Sequence, residues 1–246
     1  MKTLLVLLLI CSTVATADCP PQTLKHTAHV SYINDGDTLE LRDGRRIRFI
    51  GINTPETGRD GRPSEPYAEV AHSALKNLLQ HSKPVILQYG RKQKDHYGRT
   101  LAHVFLADGT NISEWLLQQG LALRIAVPPN LWAQDCYARA ELQARQQKRG
   151  LWSKPVLQAQ QLGKNVKGFH HVEGQLRRIG HSRKSIWLNF KGPLSLRIAR
   201  KDLHNFQNIN FEQLKNQRVR VRGWVYNYKN ENIIRLRHSS MLEIMK

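Results

Sequence analysis

The residues best equipped for chemistry fall in four short runs: Asp35-Gly-Asp37-Thr38, Arg48 to Thr57, Asp95-His-Tyr97-Gly-Arg99, and the two helical stretches after them. Asp37 and Asn53 offer hard oxygen donors of the kind Ca²⁺ takes. Arg48 and Arg99 offer planar forks matched to phosphate oxygens. Glu56 is able to accept a proton from water. Each has an ordinary explanation alone, since Asp-Gly pairs make hairpin turns and Thr-Pro-Glu-Thr leads out of a strand. Taken together and in this order, a cation site, two charge clamps and a base describe metal-assisted phosphodiester hydrolysis.

The elements that must position these groups are legible from pattern. Thr38-Leu-Glu-Leu41 and Arg46-Ile-Arg-Phe-Ile50 alternate around Asp43-Gly44, which predicts a hairpin. Arg46 and Arg48 then share one face, and Ile47 and Phe49 the other, toward a core. Helical spacing predicts a helix over Tyr67 to Leu79, followed by strands over Lys83 to Tyr89 and Thr100 to Leu106. Asn111 is placed to cap a helix over Ile112 to Gln119 that stops at Gly120, and a last helix covers about Leu131 to Lys148. Three strands, a helix, two strands and two helices suit a small barrel with helices outside it.

Ser153 to Val166 reads as a connection, with Pro155, a glutamine-rich patch and Gly163. Strand patterns restart at Val172 to Ile179, Ser185 to Phe190, Leu194 to Ile198, Arg218 to Tyr226 and Ile233 to Arg237. The expected organisation is therefore 1–17 leader, 18–153 first domain, 154–166 linker and 167–246 second domain. The whole chain carries a formal +19, and residues 154–246 hold net +14 against +4 for 18–153. Such charge favours a polyanion: nucleic acid, an anionic membrane or an acidic polysaccharide. In Arg218-Val-Arg-Val-Arg222 a two-residue period sets three guanidinium groups on one face, a candidate phosphate-binding stripe.

Lys2, the apolar run Leu4 to Ile10 and the Ala15-x-Ala17 ending predict a secretory signal cut after Ala17, with export to periplasm or medium and no membrane anchor. Removing it leaves Cys19 and Cys136, as a disulfide or as two thiols. No protein partner is implied.

Residues 30–152 resemble the staphylococcal nuclease (thermonuclease) family, through Asp35-Gly-Asp37-Thr38, Arg48-x5-Thr54-Pro55-Glu56-Thr57, Asp95-x-Tyr97-Gly98-Arg99, Leu117-x-x-Gly120-Leu121-Ala122 and Gly150-Leu-Trp152. The resemblance implies a five-stranded OB-type barrel with three helices and Ca²⁺-dependent hydrolysis of DNA and RNA to 3′-phosphate products. It further implies that Asp37 binds calcium through its carboxylate and Thr54 through its carbonyl. Glu56 becomes the general base, Arg48 and Arg99 the catalytic clamps, and Tyr97 a nucleotide contact. Two departures stand out. Asn53 takes the place of the family's second calcium carboxylate, which predicts weaker metal binding. Leu123-Arg-Ile-Ala-Val127 lacks the tyrosine that packs on the nucleotide base.

Residues 167–246 show no catalytic constellation and look like a second OB-type barrel. Trp187, Trp224, Tyr226 and Tyr228 are candidates for stacking bases, with core packing the competing role for the two tryptophans. The leading expectation is an exported nuclease whose basic second barrel holds the polymer. A non-catalytic nucleic-acid-binding protein on the same frame is the rival, disfavoured by the retained Glu56.

Overall fold

The computed structural model describes residues 19–22, 26–80 and 84–245. The expected leader lies outside them. The first half contains β1 (Thr27–Ala28), β2 (Val30–Ile33), β3 (Thr38–Leu41), β4 (Arg46–Phe49), β5 (Ile52–Asn53), α1 (Ala68–Gln80), β6 (Val85–Lys94), β7 (Thr100–Phe105), α2 (Ile112–Gln118), β8 (Leu123–Arg124) and α3 (Gln134–Gln146). The main sheet runs β1-β6-β7-β4-β3-β2. Because β1 and β2 are one chain segment broken at His29, pairing to β6 at one end and β3 at the other, the sheet nearly closes on itself. That is the OB-type barrel, with three α-helices packed around it.

The strand alternation does what the pattern predicts. Leu39, Leu41, Ile47, Phe49, Leu87 and Val104 point inward, joined by Leu75 and Leu79 of α1 and by Leu116 and Leu117 of α2. Full burial of each such side chain contributes about 1.5–3 kcal/mol. Asn111 caps α2 by accepting from the Glu114 N–H at 3.2 Å, satisfying one of the helix's free donors. Gly120 ends it at φ +68°, where a Cβ would meet the Arg149 carbonyl oxygen at 2.3 Å. This close approach ties the end of α2 to the turn after α3, with Leu151 N–H donating to the Gly120 carbonyl at 2.9 Å. Of the two alternatives for the cysteines, the structure has the disulfide, Cys19 to Cys136 of α3.

The second half holds β9 (Leu157–Gln158), β10 (Gly168–His181), β11 (Ser185–Phe190), β12 (Leu194–Ala199), β13 (Arg218–Tyr228), β14 (Glu231–Leu236) and β15 (Leu242–Ile244). Strands β10, β11, β12, β14 and β13 pair in that order and β13 returns to β10, closing a five-stranded barrel. Val172, Leu176, Leu188, Leu196, Val219, Val221 and Ile234 fill it. The segment read as a connection is woven into this unit. Leu157 and Gln158 pair in parallel with β10, and Ala159 and Leu162 are buried in the same core. Ile125 and Ala126 of the first half join that core too, so the barrels share packing. Among the described residues no helix is long and apolar enough to cross a membrane.

The arginine stripe of β13 requires a correction. Its alternation holds, with Val219 and Val221 in the core, but the three guanidinium groups are each engaged by a carboxylate, and only Arg218 is exposed. Arg218 and Arg220 both pair with Glu173, and Arg222 is buried against Glu141 of α3 in the first half. A strand's period tells which face a side chain occupies and is silent about what lies opposite.

Candidate active site

The site forms where the loop before β3, the end of β4, the Asn53–Glu56 turn and the β6–β7 hairpin converge. Gly36 lets the first of these approach the second. A Cβ there would lie 2.8 Å from Thr54 Cγ2 and 2.9 Å from Ala71 Cβ. Asp37 is thereby held against the turn, and its Oδ2 accepts from the Thr54 N–H at 2.8 Å.

Arg48 organises the centre. As the pattern predicts, it lies on the face of β4 opposite Ile47 and Phe49, yet it is buried. Its guanidinium donates to the carbonyls of Phe49 (2.7 Å) and Ile52 (2.9 Å) and to Asn53 Oδ1 (3.1 Å), and lies 3.0 Å from Asp37 Oδ2. A guanidinium fixed by four acceptors keeps its orientation without help from substrate.

Burial raises the Asp37 carboxyl to about 7; Arg48 opposes the shift, and Asp35 and Glu56 add to it. Asp35, itself buried, accepts the Asp37 N–H at 3.0 Å and is the functional candidate that sequence reasoning left without a role. The signal was present in the spacing, since a single glycine between two aspartates brings both carboxylates to one turn. Asn53 is buried alongside, its Oδ1 turned to Arg48 and its Nδ2 donating to the Thr54 carbonyl at 3.0 Å. Thus the two neutral oxygens named as metal ligands are engaged by Arg48 and by the amide. Among the described residues no group of three or more His, Cys, Asp or Glu side chains is gathered for a metal.

Glu56 sits at the exposed rim, its backbone clamped to Glu65 by bonds of 3.0 Å in both directions. Partial desolvation raises its carboxyl, the Asp35 charge raises it further, and Arg48 and Arg99 oppose the shift. Arg99 comes from the hairpin. Asp95 accepts the N–H groups of Tyr97 and Arg99 through Oδ1 and the Arg99 Nε–H through Oδ2 at 2.7 Å. Partial burial alone would raise the Asp95 carboxyl, but the Arg99 bonds and charge outweigh it and hold it low. Arg99 also reaches Thr38 Oγ1 at 3.5 Å and lies 5.4 Å from the Tyr97 ring, which is 73% exposed. Direct contacts therefore unite Asp37, Arg48, Asn53 and Thr54, and charge couples Glu56 to them. Arg99 and Tyr97 stand across the rim.

A cleft of about 610 Å³ opens beside these groups, lined by Arg48, Arg99 and Tyr97 and by Ile125 to Pro128. The latter wall has no aromatic side chain. Trp224 and Tyr226 of the second barrel line the same cleft.

Residues 46–154 match the family described as staphylococcal nuclease homologue. The thermonuclease of Staphylococcus hyicus is 37% identical over 132 residues, covering 52% of this chain and 77% of that protein. The thermonuclease of Staphylococcus intermedius is 36% identical over 129 residues, 51% of this chain and 75% of its own length. An uncharacterized endonuclease of Escherichia coli is 34% identical over 128 residues, 48% and 72% of the two chains. The barrel, the spaced motifs and these likenesses agree: the chain belongs to the staphylococcal nuclease family and is a nuclease, a hydrolase acting on phosphodiester bonds.

Proposed function

We propose that the protein is an exported, Ca²⁺-dependent endonuclease that cuts DNA and RNA and leaves 3′-phosphates. The observation that carries the metal reading is Asp37, a buried carboxylate beside Asp35 whose charge Arg48 compensates only in part. Two buried carboxylates with carbonyl and amide oxygens beside them suit a hard cation. Asp37, the Thr54 carbonyl and the Asn53 amide oxygen would hold it, and Asp35 adds charge. Bound calcium supplies positive charge near the reacting phosphate and a template for its oxygens.

The protein's own groups do the rest. Glu56 accepts a proton from the attacking water as the water oxygen bonds to phosphorus. The bond to the 5′ oxygen breaks, that oxygen takes up a proton, and the phosphate stays on the 3′ side. Arg48 and Arg99 donate to the phosphate oxygens, whose charge grows in the transition state. Tyr97, exposed beside Arg99, contacts the nucleotide. Digestion of single- and double-stranded DNA and RNA by residues 18–246 should require calcium and stop with a chelator. Binding without cleavage at any calcium level would refute this reading.

Two further results are expected. Asn53→Asp removes the donor to the Thr54 carbonyl and adds a negative charge, so calcium affinity should rise roughly tenfold. If neither affinity nor rate changes, the metal assignment is misplaced. Calcium affinity should also fall as pH drops below the Asp37 value of about 7, because the cation must then displace a proton. The expected slope is up to about tenfold per pH unit, read by titration calorimetry between pH 8 and 6. Folding is linked with a consistent sign. The raised carboxyl means the metal-free fold loses stability as pH rises from 3.8 toward 7, and calcium restores it.

Export is supported by the Cys19–Cys136 disulfide, which belongs to an oxidising compartment such as the periplasm or the medium. Exported protein should begin near Asp18 on N-terminal sequencing.

A further inference from the structure

The cleft does not end at the catalytic rim. It continues onto the outer face of the second barrel, where Trp224 and Tyr226 of β13 alternate with buried Val225. Trp224 is 46% exposed, and Phe169 meets it edge-on at 5.0 Å, so its ring is held in place without being covered. Core packing is thus not its role. Arg235 of β14 lines the same cleft, one step beyond the Val225–Ile234 pair. In register beside Arg235 stands Arg197 of β12, and beside Arg197 stands Trp187 of β11, with the Arg197 guanidinium 5.9 Å from the indole. An aromatic–arginine row therefore crosses four strands, starting in the cleft that Arg48 and Arg99 also line.

The charge of this path is strongly one-sided. Lys92, Arg48, Arg99, Arg235 and Arg237 line the cleft with a single carboxylate, Asp95, which Arg99 occupies. Arg235 meets Asp202 at 2.9 Å but keeps 39% of its side chain exposed. Arg237 donates to the Pro128 carbonyl at 3.2 Å, while its buried Nε has no hydrogen-bond partner. Arginines alternating with exposed ring faces match phosphates alternating with bases. A duplex hides its base faces in the stack, so this chemistry selects an unpaired strand.

We propose that this path binds an unpaired stretch of the substrate strand flanking the scissile phosphate, its bases stacking on Trp224 and Tyr226 and its phosphates meeting Arg235, Arg197 and Arg237. The second barrel thereby adds a strand-holding subsite beyond the catalytic barrel. The inference rests on the nuclease reading above, and the test separates the two.

Residues 18–246 and the Trp224→Ala/Tyr226→Ala variant are compared on a dinucleotide, a single-stranded dodecamer and a duplex dodecamer, with calcium. For the single strand, KM should rise about tenfold to a hundredfold, with the loss falling on KM rather than kcat and far exceeding that for the dinucleotide. Trp224→Phe should recover most of it. Arg197→Gln/Arg235→Gln should flatten the dependence of log KM on log salt by about 0.7 per arginine. A variant melting with its parent whose single-strand KM stays within about twofold would overturn the proposal, as would equal losses on single strand and duplex. A parent that cleaves none of the three substrates would overturn the nuclease reading itself.

Discussion

Glu56→Gln is expected to lower the cleavage rate by about a hundredfold to ten-thousandfold while leaving substrate binding largely in place. The substitution keeps size and shape while removing the negative charge and with it the ability to take a proton. Its backbone is held independently by Glu65, so the loop has no reason to move. The pH profile gives a second readout. Partial desolvation and the Asp35 charge lift the Glu56 carboxyl above its ordinary 4.5, so the acid limb of kcat/KM should lie above that value. The rate falls as pH drops through the limb because a protonated base is unable to accept another proton. At saturating calcium, where the Asp37 proton is already displaced, this limb should vanish in the glutamine variant. A variant within about threefold of its parent, or one with an unchanged acid limb, would remove Glu56 from the base role.

Arg222→Met should cost about 3–5 kcal/mol of stability, an effect on folding rather than on chemistry. Arg222 and Glu141 are both buried, one on β13 and the other on α3, and their ion pair joins the two barrels. Glu141 also accepts the Arg124 N–H at 2.8 Å, and Arg222 donates to the Arg124 carbonyl at 3.3 Å. Removing the arginine leaves a carboxylate out of water without its cation, which costs more than the pair gains when intact. The double variant Arg222→Met/Glu141→Leu should recover part of the loss, because no carboxylate is left without a cation, while Arg124 loses the Glu141 charge and the acceptor of its N–H. Urea unfolding midpoints of parent, single and double variants decide it. A single variant losing under about 1 kcal/mol, or a double variant no better than the single, would show the pair to be peripheral. For the same reason, deleting residues 154–246 is a poor probe of the second barrel. It would strip the cover from Ile125 and Ala126 and take Arg222 away from Glu141. Point substitutions in the aromatic row leave that packing intact.

Much of the first half is legible because its signals are local. The alternation of Arg46 to Ile50 sends Ile47 and Phe49 into the core, Asn111 caps α2, and Gly120 stops it. Backbone geometry alone imposes these periods and caps, so a short window of residues contains the information. The proposed catalytic parts are readable for a related reason, since Asp37, Arg48, Glu56 and Arg99 occur in motifs whose spacing is read along the chain.

Partners distant in sequence were decided only by the tertiary structure. Arg222 and Glu141 are 81 residues apart, and the pattern that set Arg222 on one face of β13 contained nothing about α3. The same holds for Cys19 and Cys136, separated by 117 residues. Trp224 could have been core or surface by composition; the closure of β13 onto β10, with Phe169 against it, turned its ring toward the cleft. Residue type makes Asn53 a hard oxygen donor, and only the packed site turns that oxygen to Arg48 and its amide nitrogen to Thr54. Residue type and period fix what a side chain is able to do and which face it takes. The long-range packing of two barrels decides which charges meet, and so which arginines line the cleft.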